Sequence, residues 1–445
     1  MTEPRSAKPT VKFVDDYCQW YQPIFPEVRS FEAFKNLHIG MLADIKRKSL
    51  PAIARVAGLE QEQSLHHFLT VSPWQVEQLR EQRLRLILQV LEGREIILII
   101  DETGDRKKGD DTDYVKRQYI GNLGKIENGI VAVTAYGVID GITLPLTFEV
   151  YKPKERLQAG DRYLSKPEIA AQIIRELQVL GFKFKLVLAD SLYGESGSNF
   201  IEVLYELKLP FVVAIRSNHA VWLPKEQRVR CNRWRQFKRI FSDGTTQQRY
   251  IREIIFGKRC ATQFWEITTD PQTLPKNSTW YVMTHVPEIK YHQVGNLYGL
   301  RNWVEYGLKQ SKNELGWADF RVTNYTQIQK WWEVVMSAYL LVSLHSDSLY
   351  PQTDFQRSNK PSVMVVKKFS NHPWWDEGTG WKNLLNNLRL ILQPFVLFNL
   401  IRPWLKVFPI PALSLGFSRL IALMNYFHGA VPTPLQIHEF LFSAA

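Results

Sequence analysis

The spacing of apolar residues changes several times along the chain. Over residues 1–92 they recur every three or four positions, in "SFEAFKNLHIGMLADIKRK", "LPAIARVAGLEQEQSLHHFLT" and "SPWQVEQLREQRLRLILQVLEG". That period predicts amphipathic helices, the last one opened by Ser72-Pro73 and closed at Gly93. The pair around Gly58 fits a helix-turn-helix-like unit or a plain helical bundle equally. From Glu95 the pattern becomes "EIILIIDETG", a short run of β-formers that ends in acids and predicts a strand buried on both faces. A basic polar loop, "DRKKGDDTDYVKRQYIGNLGKIENG", follows. "GIVAVTAYGVIDGITLPLTFEVYKP" predicts a hairpin turning at Asp140-Gly141. "KPEIAAQIIRELQVLG" predicts a helix ended by Gly181. Then come "FKLVLADSLYGE", a second buried strand ending in an acid, the helix "SNFIEVLYELKL" and the strand "PFVVAIRSN".

Residues 216–290 alternate short β-like runs with polar turns and show no convincing helix. The stretch "LYGLRNWVEYGLKQSKNELG", 297–316, predicts a single amphipathic helix. Leu297, Leu300, Val304, Leu308 and Leu315 form its apolar stripe. Tyr298, Arg301, Glu305 and Lys312 gather on another face, within about a sixth of the circumference. Taken alone, Arg301–Glu305 and Glu305–Lys309 would be ordinary solvated pairs worth a few tenths of a kcal/mol. The chain ends in a polar segment (349–363) and apolar helices rich in Trp and Leu. There, "PFVLFNLIRPWLKVFPIPALSLGFSRLIALMNYF" is broken by Arg402, Pro403, Lys406, Pro409, Pro411 and Arg419. It predicts buried helices joined by a Pro-rich turn, not a membrane span.

These changes divide the chain into five parts. A helical N-terminal domain is expected over 1–92 and the first part of an α/β domain over 93–215. A β-rich insertion is expected over 216–292 and the catalytic helix over 293–348. A helical C-terminal region, a candidate for dimerisation, is expected over 349–445.

A chain of 445 residues with 45% hydrophobic and 13% aromatic content can bury a large core. The net charge of +12 favours a polyanionic partner, and without a membrane segment that partner is nucleic acid. Cys18, Cys231 and Cys260 are scattered, which fits the cytoplasm and excludes a disulfide framework or a CxxC metal site. The start "MTEPRSAKPT" is no signal peptide, and no GxxxxGK[ST] loop predicts a nucleotide cofactor.

Asp101 and Asp190 each close a buried apolar run. On neighbouring parallel strands they would emerge together at the carboxyl ends, where open α/β sheets place their sites. Two acids there repel and call for a cation. With Glu305 from the later helix they give three oxygen donors and no His or Cys, a set suited to Mg²⁺ or Mn²⁺. Such ions can activate an attacking oxygen and stabilise a leaving one in phosphodiester displacement. Arg301 and Lys312 then hold phosphate oxygens, and Tyr298 offers its hydroxyl. Lys107, Lys108 and Arg117, in the loop after Asp101, are further candidates for phosphate contact. So is the run "KEQRVRCNRWRQFKR", with Arg233, Arg235, Lys238 and Arg239 interleaved by Trp234 and Phe237. Asp101 by itself would pass as a strand-end turn residue.

At these residues the chain resembles bacterial insertion-sequence transposases of the DDE type. Tyr298, Arg301, Glu305 and Lys312 match the spacing of their Tyr-Arg-Glu-Lys signature. "DETG", "KKG" and "RQYIGNLGKIENG" look like a first catalytic block, and "LADSLYGE" like a second. The resemblance covers roughly residues 60–345. It implies an RNase H-like catalytic domain with a mostly β insertion, flanked by helical regions. It also implies a metal-binding triad of Asp101, Asp190 and Glu305, with Mg²⁺ as cofactor and Mn²⁺ able to substitute. Tyr298, Arg301 and Lys312 would contact DNA phosphates near the element end. The reaction implied is nicking at the terminal inverted repeats, then attack of the freed 3′-hydroxyl on target DNA, by a homodimer on paired ends. Some relatives stack a flipped base on tryptophan; Trp222, Trp234, Trp265, Trp280 and Trp303 are available. Two other classes compete. One is a catalytically silent DNA-binding regulator or targeting factor on the same fold. The other is a haloacid-dehalogenase-type phosphotransferase, which wants an Asp at position 103, where Thr stands, and leaves the 298–312 stripe unused.

Overall fold

The computed structural model describes residues 5–219, 221, 223, 225–241, 245–349, 368–378 and 380–427. The chain divides into two compact units, Leu91–Leu308 and Met1–Val90 with Lys309–Ala445.

The second of these is helical. It opens with α1 (Lys12–Gln19), α2 (Val28–Leu42), α3 (Leu50–Ala57), α4 (Gln63–Thr70) and α5 (Val76–Leu91). Gly58 caps α3 in the left-handed region at φ 76°, so two helices do flank it. Gly93, at φ 80°, follows the end of α5 as expected. Its start is a correction, because α5 begins at Val76 and not at Ser72-Pro73. The Ser72 hydroxyl bonds Ser30 at 2.6 Å, and its carbonyl accepts from Lys330. Both groups are committed to packing and leave no cap.

The Leu91–Leu308 unit is built on one mixed sheet. Its strands are β1 (Ile96–Arg106), β2 (Lys116–Ile120), β3 (Lys125–Ile139), β4 (Ile142–Val150), β5 (Phe184–Ala189) and β6 (Phe211–Ile215), followed by β7 (Val229–Cys231), β8 (Arg235–Ile240), β9 (Thr246–Phe256), β10 (Gln263–Thr268) and β11 (Trp280–His285). Their order is β2-β3-β1-β5-β6-β11-β10-β9-β7, with β4 also on β3 and β8 also on β9. The runs richest in Ile, Val and Leu lie at the centre, where both faces are covered. β1 is parallel to β5, β5 to β6, and β1 antiparallel to β3. The hairpin turns at Asp140 (φ 50°) and Gly141 (φ 74°), the positive-φ pair its sequence predicts. α6 (Lys166–Val179) starts at a capping box of Ser165 and Glu168 and ends before Gly181, again as predicted. α7 (Ser191–Gly194) and α8 (Glu202–Glu206) frame a π-helical turn, Gly197–Ile201, before β6. The residues expected as a β insertion extend the same sheet, since β11 pairs antiparallel with β6. A large mixed α/β sheet with helical regions at both chain ends agrees with the RNase H-like expectation.

Three expectations need correcting in this unit. β1 does not end at Asp101 but runs on to Arg106, because β3 continues to pair with it from Asp101 to Arg106. Arg117 lies on strand β2, not in a loop. The stretch from 297 to 316 is not one helix but the end of α9 (Tyr291–Gly299) and α10 (Asn302–Asn313). At the joint the bonds tighten to i,i+3, Leu300 to Leu297 and Arg301 to Tyr298.

The helical unit resumes through α11 (Tyr325–Leu344), almost wholly buried, and Trp381–Val407. Arg80 and Arg83 of α5 bond Glu333 of α11 at 2.6 and 3.0 Å. The C-terminal region departs from expectation. Trp381–Val407 is continuous through Pro394 and Pro403, and is long and apolar enough to cross a membrane. The turn before Pro411–Met424 falls at Phe408–Ile410, but that last helix has no buried residue. Leu397, Leu400, Trp404, Leu415 and Leu423 are exposed.

Candidate active site

Parallel pairing between β1 and β5 ends with Ile100 opposite Ala189. The next residue on each chain is an aspartate, Asp101 and Asp190, so register alone sets the two acids side by side. Asp101 continues along β1, where Thr134 Oγ1 donates to its carbonyl at 3.1 Å. Asp190 leaves its strand to cap α7, its carboxylate accepting from the Leu192 amide at 2.9 Å. That turn is pressed onto β6: a Cβ on Gly194 would meet the Ala214 carbonyl oxygen at 1.9 Å. Only glycine fits, and the close packing fixes where Asp190 points.

The α9–α10 joint and α10 supply the rest. Arg301 donates to Asp101 at 3.0 Å and to Glu305 at 2.7 Å. Asp101 is buried, and burial pushes its carboxyl up to about 7; Arg301 pulls it back and Asp190 adds to the rise. Burial opposes the charge on Arg301, but Asp101, Tyr298, Glu305 and Asp190 outweigh it and hold the guanidinium protonated. Burial raises the Tyr298 phenol too, against Arg301. The site is an acidic floor with one arginine as its counter-ion.

This geometry bears on a metal. Asp101 and Asp190 are adjacent, mutually repulsive carboxylates, the donor chemistry of a hard divalent cation. Glu305 is exposed and, among the described residues, is linked to Asp101 through Arg301. Among the described residues no three His, Cys, Asp or Glu side chains are grouped closely enough to hold an ion ready-made. The two aspartates have the donor chemistry of a cation site, while Glu305 is held by Arg301.

The other sequence candidates are distributed. Lys107 is six residues beyond Asp101 on extended chain, roughly 20 Å away, and Lys108 is exposed beyond it. Arg117 is exposed opposite Asn128, at the same remote end. The loop they were assigned to is displaced because β1 is longer than expected. Lys312 lies in the last turn of α10 and belongs to the helical unit. Arg233, Arg235 and Lys238 are exposed, while Arg239 is buried on the inner face of β8. Of the tryptophans, Trp265 is buried with its indole on Thr284, Trp234 lies under Arg252 and Trp280 under Arg249. Trp303 lines a cavity, and Trp222 lies outside the described residues.

Several neighbours carried no sequence signal. Glu102 pairs with Lys166 at 2.6 Å. The Tyr193 hydroxyl is buried beside the acids, with no hydrogen-bond partner among the described residues. Burial raises its pKa, and Glu102, Asp101 and Asp190 reinforce the rise. Glu195 accepts from the Arg216 amide at 2.7 Å and lies 3.1 Å from His219. Only the proximity of Tyr193 and Glu195 to Asp190 in "LADSLYGE" could have drawn notice to them.

Comparison with known proteins places this geometry. Residues 22–253 match the family model described as DDE superfamily endonuclease, a span that includes Asp101 and Asp190 and stops before Glu305. The chain is 66% identical over 329 residues to "Probable transposase for insertion sequence element IS701" of Microchaete diplosiphon, covering 74% of this chain and 87% of the relative. The chain therefore belongs to the DDE superfamily of endonucleases and, within it, to the insertion-sequence transposases.

Proposed function

We propose that this protein cuts DNA at the ends of its own insertion sequence and joins the freed end to target DNA. The observation that carries this reading is the register of Asp101 and Asp190, with Arg301 tying Glu305 to the same floor. Asp101 and Asp190, joined by Glu305, would hold Mg²⁺ or Mn²⁺. Bound there, the ion supplies Lewis acidity at the scissile phosphate. The chain's part is to position. Arg301, once released from Asp101, is placed to bond a phosphate oxygen, and Tyr298 offers its hydroxyl beside it. Lys312 adds positive charge in the last turn of α10. Water attacks phosphorus and breaks its bond to the strand's 3′-oxygen, which leaves as a 3′-hydroxyl. That hydroxyl then attacks a target phosphodiester and displaces the target strand's 3′-oxygen. No covalent protein–DNA intermediate is needed. Two ends must be cut together, so a homodimer on paired terminal inverted repeats is the working form.

The test is divalent-metal-dependent nicking of a duplex carrying the element's terminal repeats, with Glu305→Ala beside the parent. Cutting that needs metal and vanishes in the variant supports the reading. Tight binding without cutting under any metal favours a catalytically silent DNA-binding regulator. One observation leans that way, since Arg301 now stands between Asp101 and Glu305 where a shared ion would sit.

A further inference from the structure

Two arginines of the β insertion are buried with no acid beside them among the described residues. Arg239 on β8 is 8% exposed and Arg249 on β9 is 6% exposed. Both guanidiniums lie over one indole, that of Trp280, with Cζ at 5.6 and 4.4 Å from the ring centre. Arg239 also lies over Phe241 at 5.0 Å. Arg249 donates to Gln247 through Nε and Nη2, at 3.0 and 2.8 Å. Its Nη1 and the Nε of Arg239 are buried with no hydrogen-bond partner among the described residues. Among the described residues no Asp or Glu pairs with either side chain, although buried guanidiniums are ordinarily paired. Burial holds both below the usual arginine range, Arg249 at about 10, where repulsion from Arg239 adds to the effect.

Arg239 also has access to space. Arg239 lines a cavity of about 710 Å³ together with Phe241, His292, Asn296, Trp303 and Tyr306. α9 comes so close that a Cβ on Gly299 would lie 3.4 Å from the Arg239 Nε. Gly299 is two residues before Arg301. The unsatisfied Arg239 donor thus sits beside the helix joint that carries the candidate active site.

We propose that Arg239 and Arg249, held flat on Trp280, form a built anion site that takes one phosphate group of the DNA strand entering this cavity. A flat guanidinium presents parallel N–H donors, which match phosphate oxygens better than an ammonium does. Unpaired buried charge is a cost in the free protein, and the bound phosphate offsets it. Indole stacking keeps the two cations oriented meanwhile. That the phosphate belongs to DNA rests on the function proposed above; the anion site itself does not. The group is either an internal phosphodiester or a terminal 5′-phosphate, and both present the same oxygens.

Thermal unfolding of the full chain with inorganic pyrophosphate tests the site without cutting or added metal. The parent's midpoint is expected to rise by about 3 °C at ten times its Kd. Arg239→Met and Arg249→Met should lose most of that rise. Lys185→Met, which removes an exposed charge on β5, should keep it. If the Met variants do not fold, Arg239→Lys and Arg249→Lys carry the test. Lysine keeps the charge but cannot lie flat, so the rise should again shrink. Binding to duplex DNA gives the second readout: each Met variant should flatten the slope of log K against log salt by about 1. If dephosphorylating the 5′ ends reproduces that loss in the parent, the ligand is the terminal phosphate; if it does not, the ligand is an internal one. An undiminished pyrophosphate response together with an unchanged salt slope in both variants overturns the site. Loss of cutting with both responses intact would overturn only the function proposed above.

Discussion

Asp101 and Asp190 are placed together by backbone register, each the first residue beyond the Ile100–Ala189 pair. Asp190 also caps α7, but that local role does not require Asp101 beside it. Their closeness costs free energy that Arg301 offsets in part, and its consequences can be measured.

The first concerns pH. The Asp101 carboxyl is held at about 7 in the folded protein against 3.8 as its ordinary value. A raised acid favours folding most when protonated. Its contribution is complete below about 3.8 and is lost as pH rises through about 7, on the order of 2–4 kcal/mol in all. Asp101→Asn should abolish this slope in denaturant titrations made in EDTA. Mg²⁺ should raise the parent's midpoint at pH 8 and leave that of the Asn variant unmoved.

Two histidines of the helical unit predict the opposite trend. Burial pushes His38 and His345 down to about 4, against 6.5. Their contribution is present above about 6.5 and lost as pH falls through about 4, by roughly 3 kcal/mol each at most. Probes placed in the two units should therefore shift in opposite directions between pH 4 and 7. A common shift would refute both assignments.

Arg301→Met leaves Asp101 beside Asp190 without a counter-ion. A loss of about 3 kcal/mol at pH 8 is expected, mostly recovered in the double variant Arg301→Met, Asp101→Asn. Additive losses would mean that the two side chains are not energetically coupled.

Glu305 is exposed, and among the described residues its carboxylate bonds only Arg301, four residues earlier. Glu305→Gln should change stability by less than about 0.5 kcal/mol while removing metal-dependent cutting. A variant that cuts normally would take Glu305 out of the active site.

Glu333 shows the contrasting case of a pair that serves the fold. It is fully buried with Arg83 and also holds Arg80. Glu333→Ala should cost about 3–5 kcal/mol, read from chemical denaturation, because two cations lose their partner.

Much of this was written locally. The all-apolar runs of β1, β5 and β6 declare strands buried on both faces. Asp140-Gly141 fixes the hairpin, and Ser165 with Glu168 starts α6, since each depends on neighbours a few residues away. The two aspartates were visible for the same reason, as acids at the end of apolar runs. What the sequence could not disclose depends on partners far along the chain. β1 passes beyond Asp101 because β3 pairs with it, which carries Lys107 and Arg117 away from the site. Ser72 cannot cap a helix because Ser30 holds its hydroxyl. The helix over 297–316 breaks beside Gly299, against which Arg239 packs. Helical periodicity does not register such packing. Local pattern chose the elements and brought the acids to notice. Long-range pairing decided where each strand ends and which charges meet.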